Sequence, residues 1–352
     1  MPCASCLKRR LAASGVPSLG WHPLQKGESD VLFIHDPGRT PPLREAVRAH
    51  ISLRRYYEMF WTKRQDGGWL RIPKAMRADF AAPDNEQEHE IAVLIAEGDR
   101  EQANVLEARL FEQRTRLAAA ERALAARPTK KAENDRRIAT AKIGQFQSSL
   151  ADLQRTGLID RDFRIFPGHY APVMIEREGQ RLLVPMRYQC RLPGWTEADE
   201  KNKPGTYNAR RNNLENAWRK LFGRQHGVMV ATSFFENVPR HRVEQRELGP
   251  GEPLENNVLE FRPQPPQDML VACLWSFTKG TDEEGDLFSF AAITDDPPPE
   301  SAAAGHDRCI IPIREENLDA WLNPDPNDLA ALYAILDDRR RRISSTGLRP
   351  EC

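Results

Sequence analysis

The chain has 352 residues, 40% hydrophobic and 29% charged, and its 51 basic and 51 acidic side chains give a formal net charge of +0. That balance excludes a wholly disordered chain and a globally basic nucleic-acid binder, so any affinity for a polyanion has to come from a local patch. No apolar run approaches the roughly 20 residues of a spanning helix, and Lys8, Arg9 and Arg10 lead into no sustained apolar stretch of a signal peptide, so a cytoplasmic protein without membrane contact is expected. The six cysteines, Cys3, Cys6, Cys190, Cys273, Cys309 and Cys352, are scattered as reduced thiols are. Cys3 and Cys6 form a lone C-x-x-C with no second pair, and no metal or cofactor is expected.

Residues 1–50 carry Gly, Pro and Ser without clear periodicity, and within them only Val31 to Ile34 reads as a strand. An aromatic-rich helix follows from Arg54 to Trp61, broken at Ile72, Pro73 and Lys74, so that 51–83 forms the first part of a folded domain. From Asp84 to Ala126, Ala103, Leu106, Leu110, Leu117, Ala120 and Leu124 recur at steps of three, four or seven. After a break at Arg127, Pro128 and Thr129, Ala139, Ile143, Phe146, Leu150 and Leu153 repeat the pattern. Two amphipathic helices joined by a short turn predict an antiparallel hairpin over 84–157, inserted into the domain and suited to docking a protein partner. At about 1.5 Å per residue its first arm reaches roughly 60 Å.

Beyond Gly157 the texture changes to short β-rich runs: Val173 to Ile175, Leu182 to Met186, Val228 to Phe235, Met269 to Phe277, Leu287 to Thr294 and Cys309 to Ile313. Helical patterns intervene over Asn213 to Phe222 and Glu315 to Leu322, and a last one runs from Asp328 to Asp338. Strands with helices packed outside predict an α+β domain over 158–338, built on a curved, mostly antiparallel sheet, with a basic tail at 339–352.

Three places in this domain put polar residues where a strand meets a turn. Tyr207, Asn208, Ala209 and Arg210 precede a segment rich in Arg and Asn; Glu236 closes the apolar run through Phe234 and Phe235; and Gly305, His306, Asp307 and Arg308 stand before the strand at Cys309. A carboxylate at the end of an apolar strand gains acid–base character through desolvation, or is simply a solvated strand end. A histidine beside a glycine shuttles protons or is structural.

Taken in order, Asn208-Ala209-Arg210, then Phe235-Glu236, then Met269 to Ala272, Ser289 to Thr294 and His306-Asp307-Arg308 resemble the pattern of the SOS response-associated peptidase family. Tyr170-Ala171-Pro172 and Met186 to Trp195 are similar to two upstream segments of that family, and Ile72 to Met76 with the helical hairpin resembles a longer branch that carries the hairpin as an insertion. The resemblance implies a DNA-damage protein that binds single-stranded DNA and links itself to abasic sites through an N-terminal cysteine, exposed by autoproteolysis and closing a thiazolidine. By the same resemblance Cys3, Asn208, Glu236 and His306 are catalytic. Glu236 relays protons, His306 assists opening of the sugar ring, and Asn208 holds the sugar or the nucleophile. Arg210 grips phosphate, with Arg211 as its neighbour, while Arg187 and Trp195 serve phosphate contact and base stacking.

The start departs from the family's Met-Cys, for here Met1 is followed by Pro2 and Cys3. Three readings stand open: a diverged start, processing that exposes Cys3, or an iminium formed by the secondary amine of Pro2, which gives a lyase. A catalytically impaired single-stranded-DNA-binding scaffold is the alternative to an enzyme, and a hydrolase unrelated to DNA is a third.

Overall fold

In the computed structural model of this protein, residues 32–34, 49–244, 246–263, 265, 267–280, 285–297, 308–339 and 343–348 are described, the first and last stretches as backbone alone. Pro2, Cys3, Cys6, His306 and Asp307 lie outside the described residues.

Apolar alternation with a period of two builds the centre of the molecule. Strands β4 (Tyr170–Arg177) and β5 (Gln180–Tyr188) form a hairpin, and β4 also pairs with β7 (His226–Ala231). β7 pairs with β10 (Met269–Thr278), and β10 with β11 (Leu287–Asp295), every contact so far antiparallel. β11 then lies parallel to β5 through Ser289↔Arg187 and Phe290↔Tyr188, so the five strands close on themselves. Closure leaves these strands no open edge to pair with another chain. The short β2 (His50–Ile51) extends β5 on the outside. The fold is thus α+β with a curved, barrel-like and mostly antiparallel sheet, as the strand runs imply.

A second sheet, antiparallel throughout, runs in the order β3 (Arg164–Ile165), β1 (Leu32–Ile34), β8 (Ser233–Pro239), β9 (Asn256–Pro263), β14 (Ile343–Leu348). Successive residues of a strand face opposite sides. Leu270, Ala272 and Leu274 of β10 therefore pack with Trp218, Phe222 and Trp321, under the helices Leu318–Leu322 and Leu329–Asp337. Met269, Val271 and Cys273 pack instead with Phe234 and Phe261 of the second sheet.

Several expectations change in detail. The run from Val228 to Phe235 divides at Thr232, β7 joining the closed sheet and β8 the second one. The run from Cys309 to Ile313 divides into β12 (Cys309–Ile310), paired with the end of β11, and β13 (Pro312–Ile313), paired with the start of β10. It fills the gap where β10 and β11 part. The helix expected over Asn213 to Phe222 is a 3-10 turn at Arg211–Asn213 followed by further turns. Leu214, Trp218, Leu221 and Phe222 are buried at helical spacing, yet the backbone bonds alternate between Leu221 N–H to Trp218 O (2.8 Å) and Phe222 N–H to the same oxygen (2.9 Å). Asn212, Asn213 and Asn216 are residues of low helix propensity, in keeping with the lost regularity. Part of the expected basic tail, 343–348, is strand β14.

The first helix, α1 (Leu53–Gln65), and the short α2 (Lys74–Ala78) carry the root of the long hairpin, formed by α3 (Glu86–Ala126) and α4 (Lys130–Gln154). Asn85 caps α3 by accepting from Glu88 N–H at 2.9 Å, and Thr129 caps α4 by accepting from Ala132 N–H at 3.2 Å. The root is clamped by side chains. Asp99 of α3 accepts from Trp69 Nε1 at 2.7 Å and pairs with buried Arg77. Gly98 lies so close to the indole of Trp69 that a Cβ would sit 2.5 Å from it. On α4, the ammonium of Lys74 bonds the carbonyls of Asp152 and Arg155, occupying the negative end of the helix.

One buried titratable group sits in the helix-covered core. His226 lies 4.1 Å, centroid to centroid, from Trp321 and accepts from Gly223 N–H at 2.8 Å, and burial pushes its pKa down to about 3. The unfolded chain binds this proton below about pH 6.5 while the native state refuses it until about pH 3. Stability from this group is therefore complete above pH 6.5 and falls by about 1.4 kcal/mol per pH unit on acidification within that window. Urea unfolding of His226→Gln between pH 6 and pH 4 should show a slope shallower by one proton than that of the parent.

Candidate functional site

Strand β6 (Asn208–Arg210) runs parallel to β11, with Asn208 beside Ala292, Ala209 beside Ile293 and Arg210 beside Thr294. Ala209 is fully buried in the helix-covered core, so alternation turns Asn208 and Arg210 to the other side, the one that meets the second sheet. Thr294, two residues after Ala292, faces the same way, and so does Glu236, which stands between Phe234 and Val238 of β8. Four polar residues from three strands are thereby directed into one apolar layer. Glu236 is only 1% exposed.

Cys309 ties Glu236 to the end of β11. Burial, reinforced by the negative charges of Glu236 and Asp295 and opposed by Arg339, pushes its thiol up to about 12. Asp295, opposite Cys309 in register, gathers Arg339 at 3.2 Å and Arg211 at 3.5 Å. Arg211 also pairs with Asp337 at 2.7 Å and lies 5.5 Å from the ring of Tyr333. Arg210, at the end of β6, extends past the rim of the apolar layer, its side chain 43% exposed, and among the described residues it pairs with the exposed Asp296 at 3.5 Å. A pair of that kind holds a guanidinium weakly and leaves it accessible to an anion.

The amide of Asn208 is half used. Its Oδ1 accepts from the Tyr188 hydroxyl at 3.3 Å, while its Nδ2 and the buried Oγ1 of Thr294 have no hydrogen-bond partner among the described residues. Buried groups of this kind are costly unless something completes them. Thr294 was not among the residues expected from the sequence. Its only signal is its place opposite Arg210, which appears once the register is known.

The structure thus brings Asn208, Arg210, Arg211 and Glu236 together at one strand end. Arg308 directly precedes β12, which pairs with the end of β11, and His306 lies outside the described residues. Arg187 and Trp195 lie in different surroundings. Arg187 bonds Glu200 and the carbonyl of Gln189, Arg191 reaches the second oxygen of Glu200 at 3.0 Å, and all three charged groups are largely buried. Burial lowers the pKa of Arg187 despite the carboxylate beside it. Trp195 packs on the helix-covered core, with the Lys203 ammonium 5.0 Å above its ring. A cavity of about 320 Å³ opens elsewhere, between α1 and Tyr170, Pro185 and Phe288, and none of the expected site residues lines it. Among the described residues no three His, Cys, Asp or Glu side chains group to hold a metal ion, and no helix is long and apolar enough to cross a membrane.

These features define a closed-sheet α+β protein with a carboxylate, an amide and a guanidinium gathered at one strand end. The family model described as SOS response associated peptidase (SRAP) matches residues 116–346, and the chain belongs to that family. Among solved structures, a Bordetella bronchiseptica protein is 15% identical, with a TM-score of 0.43 over 54% of this chain and 88% of that one. A Bacteroides thetaiotaomicron protein is 13% identical, with a TM-score of 0.43 over 55% and 80%. A phage-related protein from Bordetella bronchiseptica is 18% identical, with a TM-score of 0.42 over 56% and 87%. No curated protein matches the chain.

The buried Arg187–Glu200–Arg191 group yields a stability test next to the site. Glu200→Gln leaves two guanidinium groups buried without their carboxylate and should cost about 3 kcal/mol in urea unfolding at neutral pH.

Proposed function

We propose that this protein acts in the cytoplasmic response to DNA damage by binding single-stranded DNA and linking covalently to abasic sites. The observation that carries the reading is the burial of Glu236 in the layer into which Asn208 and Arg210 are directed. A carboxylate held out of water is suited to proton transfer near neutral pH, and an exposed guanidinium two residues from an open amide suits a sugar-phosphate backbone. Membership of a family named for the SOS response supports the same reading.

In the proposed chemistry, hydrolysis of the peptide bond ahead of Cys3 frees its α-amine. The amine adds to the aldehyde of the ring-opened abasic sugar, and loss of water gives an imine. The thiol of Cys3 then adds to the imine carbon, its proton passes to the nitrogen, and a thiazolidine closes. Glu236 carries protons between the carbinolamine and water, His306 assists ring opening, and Asn208 holds the sugar with its unused Nδ2 hydrogen atoms. Arg210, with Arg211 beside it, binds the adjoining phosphate, while Arg187, buried against Glu200, and Trp195, packed on the helix-covered core, act from the neighbouring segment by holding its shape and not by touching the strand. A second reading takes the secondary amine of Pro2 as nucleophile, giving an iminium that supports β-elimination instead of a ring, and it is favoured by the position of Pro2 directly after Met1.

The test incubates the full chain with a single-stranded oligonucleotide bearing one abasic site and resolves the products under denaturing conditions. A heat-stable shifted band formed without reductant is expected, and Glu236→Gln should slow its appearance about a hundredfold. A band seen only after borohydride assigns the chemistry to Pro2. The absence of a band in both cases refutes covalent capture and leaves a single-stranded-DNA-binding scaffold.

A further inference from the structure

The neutral net charge of this chain conceals a sharp separation along the helical hairpin. From Glu86 to Glu112, α3 carries eight carboxylates and two arginines; from Arg114 to Lys142, the distal part of the hairpin carries nine Lys and Arg against three carboxylates. The acidic half is the anchored half. Arg64 pairs with Glu97 and Glu101, and Arg77 with Asp99, so much of its charge is already matched by the body of the protein.

The basic half has no such neighbours. Of its nine cations only Arg116 is half-buried, and it alone has an ion pair among the described residues, with Asp135 at 2.5 Å. The remaining eight are exposed. Their two helices pack along each other, with Ala120, Ala132 and Ala139 buried on the distal half. From Gly98 to Ala126 the arm runs on for about 40 Å, and its charges from Arg114 to Arg127 span about 20 Å of helix.

We propose that the distal half of this hairpin binds the phosphate backbone of duplex DNA flanking the single-stranded site. The choice of DNA as the polyanion rests on the function proposed above. The choice of duplex rests on geometry and charge density. A long helical arm bearing exposed cations complements a stiff polyanion whose phosphates keep fixed positions, and a duplex presents one negative charge per about 1.7 Å of axis, about a dozen along the charged length of the arm. The one strongly exposed large apolar side chain on the hairpin, Phe111 at 73%, lies before the basic stretch begins, so the tip lacks the apolar centre of a protein-docking face.

The experiment measures binding of the full chain to a labelled duplex with a single-stranded overhang, and to the overhang strand alone, between 50 and 200 mM salt. The variant replaces Arg122, Arg127, Lys130 and Lys131 with Gln, which keeps helix propensity, and circular dichroism checks the helix content. Binding to the duplex-flanked DNA should weaken at least about tenfold at low salt, and the slope of log K against log salt should fall by about three to four, near 0.9 for each lost phosphate contact. Binding to the overhang alone should stay within about twofold. The pair Arg136→Gln and Arg137→Gln, within α4 and away from the turn, should lower the slope by about two. Unchanged binding to the duplex-flanked DNA, or an equal loss on both DNAs, overturns the proposal. Abasic capture is scored on the same samples. Capture that persists while duplex binding is indifferent to the arm refutes the arm alone, and arm-dependent duplex binding without capture refutes the covalent function alone.

Discussion

The parallel contact between β5 and β11 is the constraint on which the rest of the molecule depends. Without it the strands form an open sheet whose first and last members lie apart. With Ser289 beside Arg187 and Phe290 beside Tyr188, the hairpin of β4 and β5 is brought to the start of β11, and β6 takes up the same parallel direction further along. The Tyr188 hydroxyl consequently reaches Asn208, and Arg210 arrives opposite Thr294. The division of β7 from β8 at Thr232 supplies the other half of the site, carrying Glu236 out of the closed sheet and back against it from the second one.

Local chemistry was legible in the sequence where it was periodic. The heptad steps of Leu106, Leu110 and Leu117 located the long helices, and β-rich runs located the strands of the closed sheet, because burial of one face is written into residue spacing. Pairings between distant strands were not legible. Nothing near Val228 to Phe235 marks the change of sheet at Thr232, since both segments are apolar and the switch is decided by what packs on them. The helix expected from Asn213 to Phe222 misled for a related reason: apolar residues at helical spacing reached the core, yet the backbone that joins them runs as a series of turns. In the site, Asn208, Arg210 and Glu236 stood out through their position at strand ends. Thr294 did not, because a hydroxyl in an apolar strand looks like any other until its register opposite Arg210 is known.

The arrangement separates two tasks that covalent capture has to combine. Glu236, Asn208 and Arg210 are held by strands, and their orientation follows from alternation and register, so the groups proposed to move protons and hold the sugar-phosphate are preorganised by the fold. The proposed nucleophile lies in the N-terminal segment, and the described link from that segment to the frame is β1, placed between β3 and β8. Since β8 is the strand that carries Glu236, the N-terminal segment enters the fold directly beside the proposed proton carrier.

Charge follows the same division between frame and approach. Around Asp295 the cations are neutralised in place: Arg211 and Arg339 converge on one carboxylate, and Arg210 alone remains turned to solvent. A single exposed guanidinium orients a phosphate but provides little long-range attraction, which screening limits to about 10 Å at ordinary salt. The exposed cations of the hairpin stand out on the long arm, where among the described residues Arg116 alone of the nine has an ion pair. In the proposed reading, the attracting charge placed there and the orienting charge near Glu236 let the site stay apolar while the molecule draws in a polyanion. A uniformly basic surface would have brought the same attraction at the cost of screening and solvating the buried layer.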